Sequence, residues 1–302
     1  MTTAGLELSG HTLRYTEVEQ TGSAVRLLRL GNCDFDFDAE ADLFSGTEPR
    51  RLETLAEAIE DVFENTTATV FRFAVPPAHL TSFTALVPAE SDTTLRGDLI
   101  AAEAVVLGVP LGGDLFPSQG TSVRRSGLRM HVSHASKTLR DRVTSLCENI
   151  PGGEEASGSA VADRHVALLP SSTAVRHLHV NLDGDGDGPA LLLGCYPGAT
   201  EYTVLRGAEP ALEWADDLDH PVDRLYFCLD VLDRVSVTVP SVSSVRLYGP
   251  DADDDVLAQV RSVFGARARR LNPCPAVNVS PDQFDPEFRF ESFGACIGAA
   301  LS

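Results

Sequence analysis

The strongest constraint on this chain is a strand–turn–strand unit that occurs twice. In residues 5–19 two alternating runs flank Ser9, Gly10 and His11, the pattern of a hairpin with glycine available for its turn. A third run, residues 24–30, follows Thr21, Gly22 and Ser23. About halfway along, residues 189–193 read as an apolar strand, residues 194–198 as a turn and residues 201–206 as the returning strand, with a third run at 210–214. A meander repeated in this way predicts two related halves. Turn amides of such units can point at an anion, so the two turns are where a ligand held between duplicated lobes is to be sought.

Between the meanders the pattern alternates between helix and strand. Leu52, Leu55, Ala56, Ile59, Val62 and Phe63 recur at helical spacing, and residues 69–75 form a β-rich run stopped by Pro76 and Pro77. Residues 76–150 read as a small insert with strands near 80–87 and 123–132 and helices at 95–107 and 137–150. The Gly, Ser and Glu run at 151–163 is a linker. Runs at 166–175 and 177–182 lead into the second half, where Pro221, Val222, Leu225, Tyr226, Leu229 and Leu232 mark a helix with one apolar stripe. A strand at 244–248, a helix at 253–264 and an apolar helix at 292–301 follow. The expected fold is α/β, with a first lobe over 1–165 carrying an α+β insert at about 76–150, and a second lobe over 166–302. The last helix can pack back on the first lobe.

Charge narrows the function. Against 44 Asp and Glu stand 24 Lys and Arg, a formal charge of -20, and Lys137 is the single lysine. An acidic surface with arginine as nearly the sole cation suits concentrated salt, so we expect the melting temperature to rise with KCl. The same charge repels nucleic acid and anionic lipid. The six cysteines form no Cys-x-x-Cys pair and read as reduced and buried. Residues 1–10 lack the basic start and apolar core of a secretory signal, and no apolar stretch approaches the ~20 residues of a spanning helix, so a cytoplasmic protein without direct membrane insertion is expected.

The order of these elements resembles the actin-type ATPase (ribonuclease H-like) fold, and within it the PilM-like proteins of type IV pilus assembly. The similarity rests on the opening Gly5-Leu6-Glu7-Leu8, the Ala74-Val75-Pro76 strand end, Ala85-Leu86-Val87-Pro88 before a helix with Ala102-Glu103, the strand at 245–248 and the closing 293–301. It implies duplicated lobes around an ATP and magnesium site, and an inserted subdomain that grips the cytoplasmic tail of a membrane partner, PilN. The family's first phosphate loop matches Glu7, Leu8 and Ser9, with Gly10 and Thr12 beyond, its acid one methylene longer. The second loop matches residues 194–200, where the acid is lost, Tyr196 and Pro197 add bulk, and Gly198 and Thr200 remain. Of the adenosine-side Gly-Gly pair only Gly249 is left, followed by Pro250 and the acids Asp251, Asp253, Asp254 and Asp255.

Magnesium in nucleotide sites takes near-octahedral oxygen ligands through one or two carboxylates, and proline has no N–H to offer a phosphate. The expectation is therefore a scaffold with a vestigial cleft at Glu7, Ser9, Gly10, Thr12, Gly198, Thr200 and Gly249, no catalytic or metal-binding residue and no cofactor. Its partner surface is expected at Leu111, Leu115 and Phe116, its place at the inner membrane through that partner, and self-association is open. The alternatives are an active ATPase or sugar-kinase-like phosphotransferase using ATP with magnesium, and a filament-forming protein. Other motifs read more simply. Asp183, Asp185 and Asp187 have calcium-loop spacing, but Gly194 stands where the twelfth-position glutamate belongs, so a solvated turn is the better reading. His131, His134 and Cys147 lack a fourth zinc ligand, His177 and His179 fall on one face of an expected strand without an acid, and Ser9 with His11 is no triad.

Overall fold

The computed structural model describes residues 1–22, 24–44, 48–110, 112–118, 121–123, 127–148, 150, 165–183, 188–285 and 288–302. The chain opens with strands β1 (Thr2–Ser9), β2 (Thr12–Thr21) and β3 (Ala24–Asp34), helices α1 (Ala39–Phe44) and α2 (Leu52–Val62), and strand β4 (Val70–Val75). There follow β5 (Thr81–Pro88), α3 (Thr93–Val106), β6 (Asp114–Pro117), β7 (Thr121–Val123), β8 (Gly127–Ala135), α4 (Lys137–Glu148), β9 (His165–Pro170) and α5 (Ser171–Asp183). The remainder holds β10 (Pro189–Tyr196), β11 (Ala199–Arg206), β12 (Glu209–Asp216), α6 (Pro221–Arg234), β13 (Ser244–Tyr248), α7 (Asp254–Phe264), β14 (Ala268–Arg270) and α8 (Gly294–Leu301).

Two five-stranded sheets share one topology, β3-β2-β1-β4-β9 and β12-β11-β10-β13-β14. In each, an antiparallel meander is extended by two parallel strands. The duplication read in the sequence is thus a duplication of sheets. A third, antiparallel sheet, β5-β8-β6 with β7 also on β8, forms the insert together with α3. The chain divides into two compact units: Met1–Pro76, Thr138–Leu182 and Asn272–Ser302 make the first, Pro77–Lys137 and Asp183–Leu271 the second.

In the first unit β1 is covered on both faces, with Leu6 and Leu8 on one and Gly5 and Glu7 on the other. Helix α8 presses on the glycine side. A Cβ on Gly5 would stand 1.9 Å from the Cys296 carbonyl oxygen, and one on Gly298 2.1 Å from that of Ala174 in α5, so both positions require glycine. Arg72 of β4 donates to the Ala299 carbonyl at 3.4 Å and to that of Ser302, capping the C-terminal end of α8 with a cation. In the second unit Leu191, Leu193, Val204, Val245, Leu247 and Phe264 pack with Cys228 and Val231 of α6.

Several elements differ from the sequence reading. The runs at 166–175 and 177–182 are not extended throughout: strand ends at Pro170 and α5 begins at Ser171, so His177 and His179 sit on a helix. Ala174, Val175 and Leu178 are buried together, a 3.6-residue period that the local alternation masks. Both β9 and α5 lie in the first unit, beyond the lobe boundary expected at 165. The stripe expected on α6 is also turned: Arg224, Cys228, Val231 and Leu232 are buried, while Val222, Tyr226 and Leu229 are exposed. On α3 only Ile100 and Ala104 are buried, so this helix is not mostly core.

Candidate functional site

The first turn joins Ser9 to Thr12 through Gly10 and His11, with Gly10 at φ +57°, a conformation glycine adopts without cost to a Cβ. The Gly10 N–H, the donor a phosphate would require, is given to Glu40 Oε2 of α1 at 2.5 Å. Glu40 returns its own N–H to the Gly10 carbonyl at 2.9 Å, and Phe35 N–H reaches the His11 carbonyl at 2.8 Å. A carboxylate on a backbone N–H is a charge-assisted bond, about twice as strong as a neutral one. The turn is therefore already filled by an anion belonging to the chain.

Of the neighbouring candidates, Thr12 donates its hydroxyl to Asp34 Oδ1 at 2.7 Å, whereas the Ser9 hydroxyl is buried without a hydrogen-bond partner among the described residues. Glu7 is wholly buried on the strand face that α8 covers and stands opposite Arg14 in the ladder. Burial holds the nearby Cys296 thiol far above its ordinary range; the Glu7 carboxylate adds to that shift and Arg14 opposes it.

The second turn is shorter than the sequence suggested. Strand β10 continues to Tyr196, so Gly194 is in mid-strand and the turn is Pro197 and Gly198, with Gly198 at φ +70°. Beside it lies Arg224, 2% exposed. Its Nε donates to the Thr200 hydroxyl at 2.9 Å, and its terminal nitrogens reach the Tyr196 carbonyl at 3.1 Å and the Asp251 carbonyl at 3.4 Å. The Asp251 carboxylate stands 3.7 Å away. Thr200 passes its own proton to the Leu218 carbonyl at 2.6 Å. A guanidinium thus gathers the oxygens around this turn, which a metal cation would otherwise have to collect.

Gly249, at φ +93°, lies against the end of β10: a Cβ there would be 2.4 Å from the Cys195 carbonyl oxygen. The acids after it serve the local fold. Asp251 faces Arg224, Asp253 caps α7 by accepting the Val256 N–H at 2.8 Å, and Asp254 pairs with Arg270 at 2.8 Å. Gly194 also has a packing role. It stands between Glu201 and Tyr248 in the sheet, and over it the Tyr248 hydroxyl donates to Glu201 Oε1 at 2.5 Å. Burial, then the Glu201 carboxylate, keep the Tyr248 phenol well above its ordinary pKa, so it remains the donor.

Sequence reasoning missed Glu40, Glu201, Arg224 and Tyr248. A signal existed for one of them: Arg224 falls in line with Cys228 and Val231 at i, i+4 and i+7. Among the expected partner residues, Leu111 lies outside the described residues. Leu115 and Phe116 are half-buried on β6, and Leu115 packs on the insert core of Ala85, Val87, Ile100, Met130 and Val132. The freely exposed apolar residues of the insert are instead Leu86 on β5 and Leu95, Val105, Val106 and Leu107 on or just after α3. Residues 184–187 of the acidic turn lie outside the described residues. Among the described residues no three His, Cys, Asp or Glu side chains are grouped to hold a metal ion, and no helix is long and apolar enough to cross a membrane.

No family model and no curated protein sequence matches the chain. Solved structures do. The chain is similar to the solved PilM-PilN type IV pilus biogenesis complex, with 18% identity over 99% of this chain and 97% of that one and a TM-score of 0.72. It is also similar to a protein of Bacteroides thetaiotaomicron with an actin-like ATPase fold and unknown function, with 10% identity over 87% of this chain and 88% of that one and a TM-score of 0.50. With the same sheet topology repeated in two units and a small α+β insert, the protein has the actin-like ATPase fold.

Proposed function

We propose that this protein is a cytoplasmic scaffold of a type IV pilus or secretion-type assembly, held at the inner membrane by a membrane-anchored, PilN-like partner. The observation that carries this reading is the Glu40 carboxylate on the Gly10 N–H, because the amide this turn would offer a phosphate already holds an anion of the chain. Arg224 supports it from the second turn, where a buried cation holds Thr200 and Tyr196. The similarity in fold to the PilM-PilN complex supports the assembly class. The partner surface we assign to the insert, at Leu115 and Phe116 as the sequence suggested, extended by the exposed apolar residues of α3.

The competing reading, an active ATPase, draws on the glycines kept at positive φ in both turns. Calorimetric titration with ATP and magnesium in KCl decides between them. The scaffold reading expects no heat of binding by folded protein; micromolar binding would overturn it. For the partner, Leu115→Asp and Val106→Asp are expected to weaken capture of the cytoplasmic tail of a PilN-type protein at least tenfold.

A further inference from the structure

Helix α6 is apolar on two sides. Its inner side, Cys228, Val231 and Leu232, is core. Its outer side carries Val222, Tyr226 and Leu229, which are 52%, 64% and 36% exposed. The spacing i, i+4, i+7 places them in one continuous row. Nothing in the inner packing explains this row, since the helix would be held equally well with polar residues there. Acids surround it: Asp223 and Asp233 on the helix and Asp217 and Asp219 just before it are exposed. The basic residues at its C-terminal end are engaged internally, Arg234 with Asp230 at 2.6 Å and over the Trp214 ring at 4.5 Å, and Arg206 on the Val235 carbonyl at 2.7 Å.

We propose that this face of α6 is a docking site for a basic amphipathic helix of a partner protein, its apolar residues seated on Val222, Tyr226 and Leu229 and its lysines or arginines against Asp223 and Asp233. Charge complementarity selects this occupant. A second copy would bring the same acids together, and an anionic membrane would meet Asp217, Asp219, Asp223 and Asp233. The site lies on α6 of the second unit, on a different element from the exposed apolar residues of α3.

The test is fluorescence anisotropy with a labelled 18-residue leucine–lysine peptide patterned at helical spacing, and with a scrambled peptide of the same composition. It is run in the lowest KCl at which circular dichroism is native. The patterned peptide is expected to bind at least tenfold more tightly than the scrambled one. The double variant Tyr226→Ser, Leu229→Ser, which touches only exposed side chains, is expected to lose that advantage, while Val105→Ser, Val106→Ser on α3 keeps it. Equal binding of the two peptides, or a patterned-peptide advantage that survives in the α6 variant, would overturn the proposal. So would a wild-type dimer in velocity sedimentation that the α6 variant abolishes, since the occupant would then be a second copy.

Discussion

The Gly10 and Gly198 turns are both two-residue connections with glycine at positive φ, but the glycine comes first in one and second, after Pro197, in the other. The first arrangement suits the twist of paired strands better than the second, yet both hairpins pair right up to the turn, at Ser9–Thr12 and Tyr196–Ala199. The closing groups differ in sign as well. A carboxylate from α1 satisfies an amide at the first turn, whereas a guanidinium from α6 gathers carbonyl and hydroxyl oxygens at the second. Duplication kept the strand pairing up to each turn, while the turn backbones themselves differ. The side chain that answers each turn is a separate choice in each unit.

That comparison can be tested by removal. Arg224→Met should have the largest effect, about 3 kcal/mol or more in denaturant unfolding, because Thr200 and Tyr196 are left buried beside an apolar side chain. Arg224→Lys should recover little of this, since an ammonium cannot span the same oxygens. Next come the close approaches. Gly5→Ala in the first unit and Gly249→Ala in the second should each cost at least about 2 kcal/mol, because their Cβ atoms would meet backbone, while Gly198→Ala, with open space around it, should cost about 1 kcal/mol. A Gly249→Ala protein as stable as Gly198→Ala would break the argument from packing.

Tyr248→Phe, which takes the hydroxyl from Glu201, should cost about 1–3 kcal/mol. Glu40→Gln is expected to have the smallest effect on stability, about 1 kcal/mol, since the site is only part-buried. Its value is chemical. With the charge gone, tripolyphosphate should bind the variant measurably and the wild type not, by calorimetry at low salt; silence in both would leave the first turn without an anion preference.

A pH series separates the insert from both turns. Burial pushes His131 of β8 down to about 4 from its ordinary 6.5. The folded state therefore binds fewer protons between those values, so stability is full above about pH 6.5 and falls as the pH drops toward 4. His131→Gln should flatten that part of the profile.

The strands were legible because their signals are local. Alternation around Ser9, Gly10 and His11 predicts the first hairpin, and the same logic finds residues 189–206. The errors lie where tertiary contacts decide. Gly194 looks like a turn residue, yet it is glycine because Glu201 and Tyr248 meet above it. Helix α5 reads as strand since its buried set, Ala174, Val175, Leu178 and His179, mixes apolar with polar side chains and is interrupted by His177. On α6 two apolar faces compete for one interior, and hydrophobicity alone cannot say that Cys228 goes inside while Tyr226 stays out. Arg224 is harder still, because its burial is tolerated only when oxygens from three separate segments converge on it.

Helix α8, wedged against Gly5 and Ala174, carries an implication for the order of biosynthesis. Every residue of the second unit has been made by Leu271, but the first unit lacks the cover of its founding strand until residues 294–301 emerge. The half of the molecule translated first is thus the one that matures last, and nascent chains arrested after Leu271 should resist protease in the second unit while the β1 hairpin is still cut.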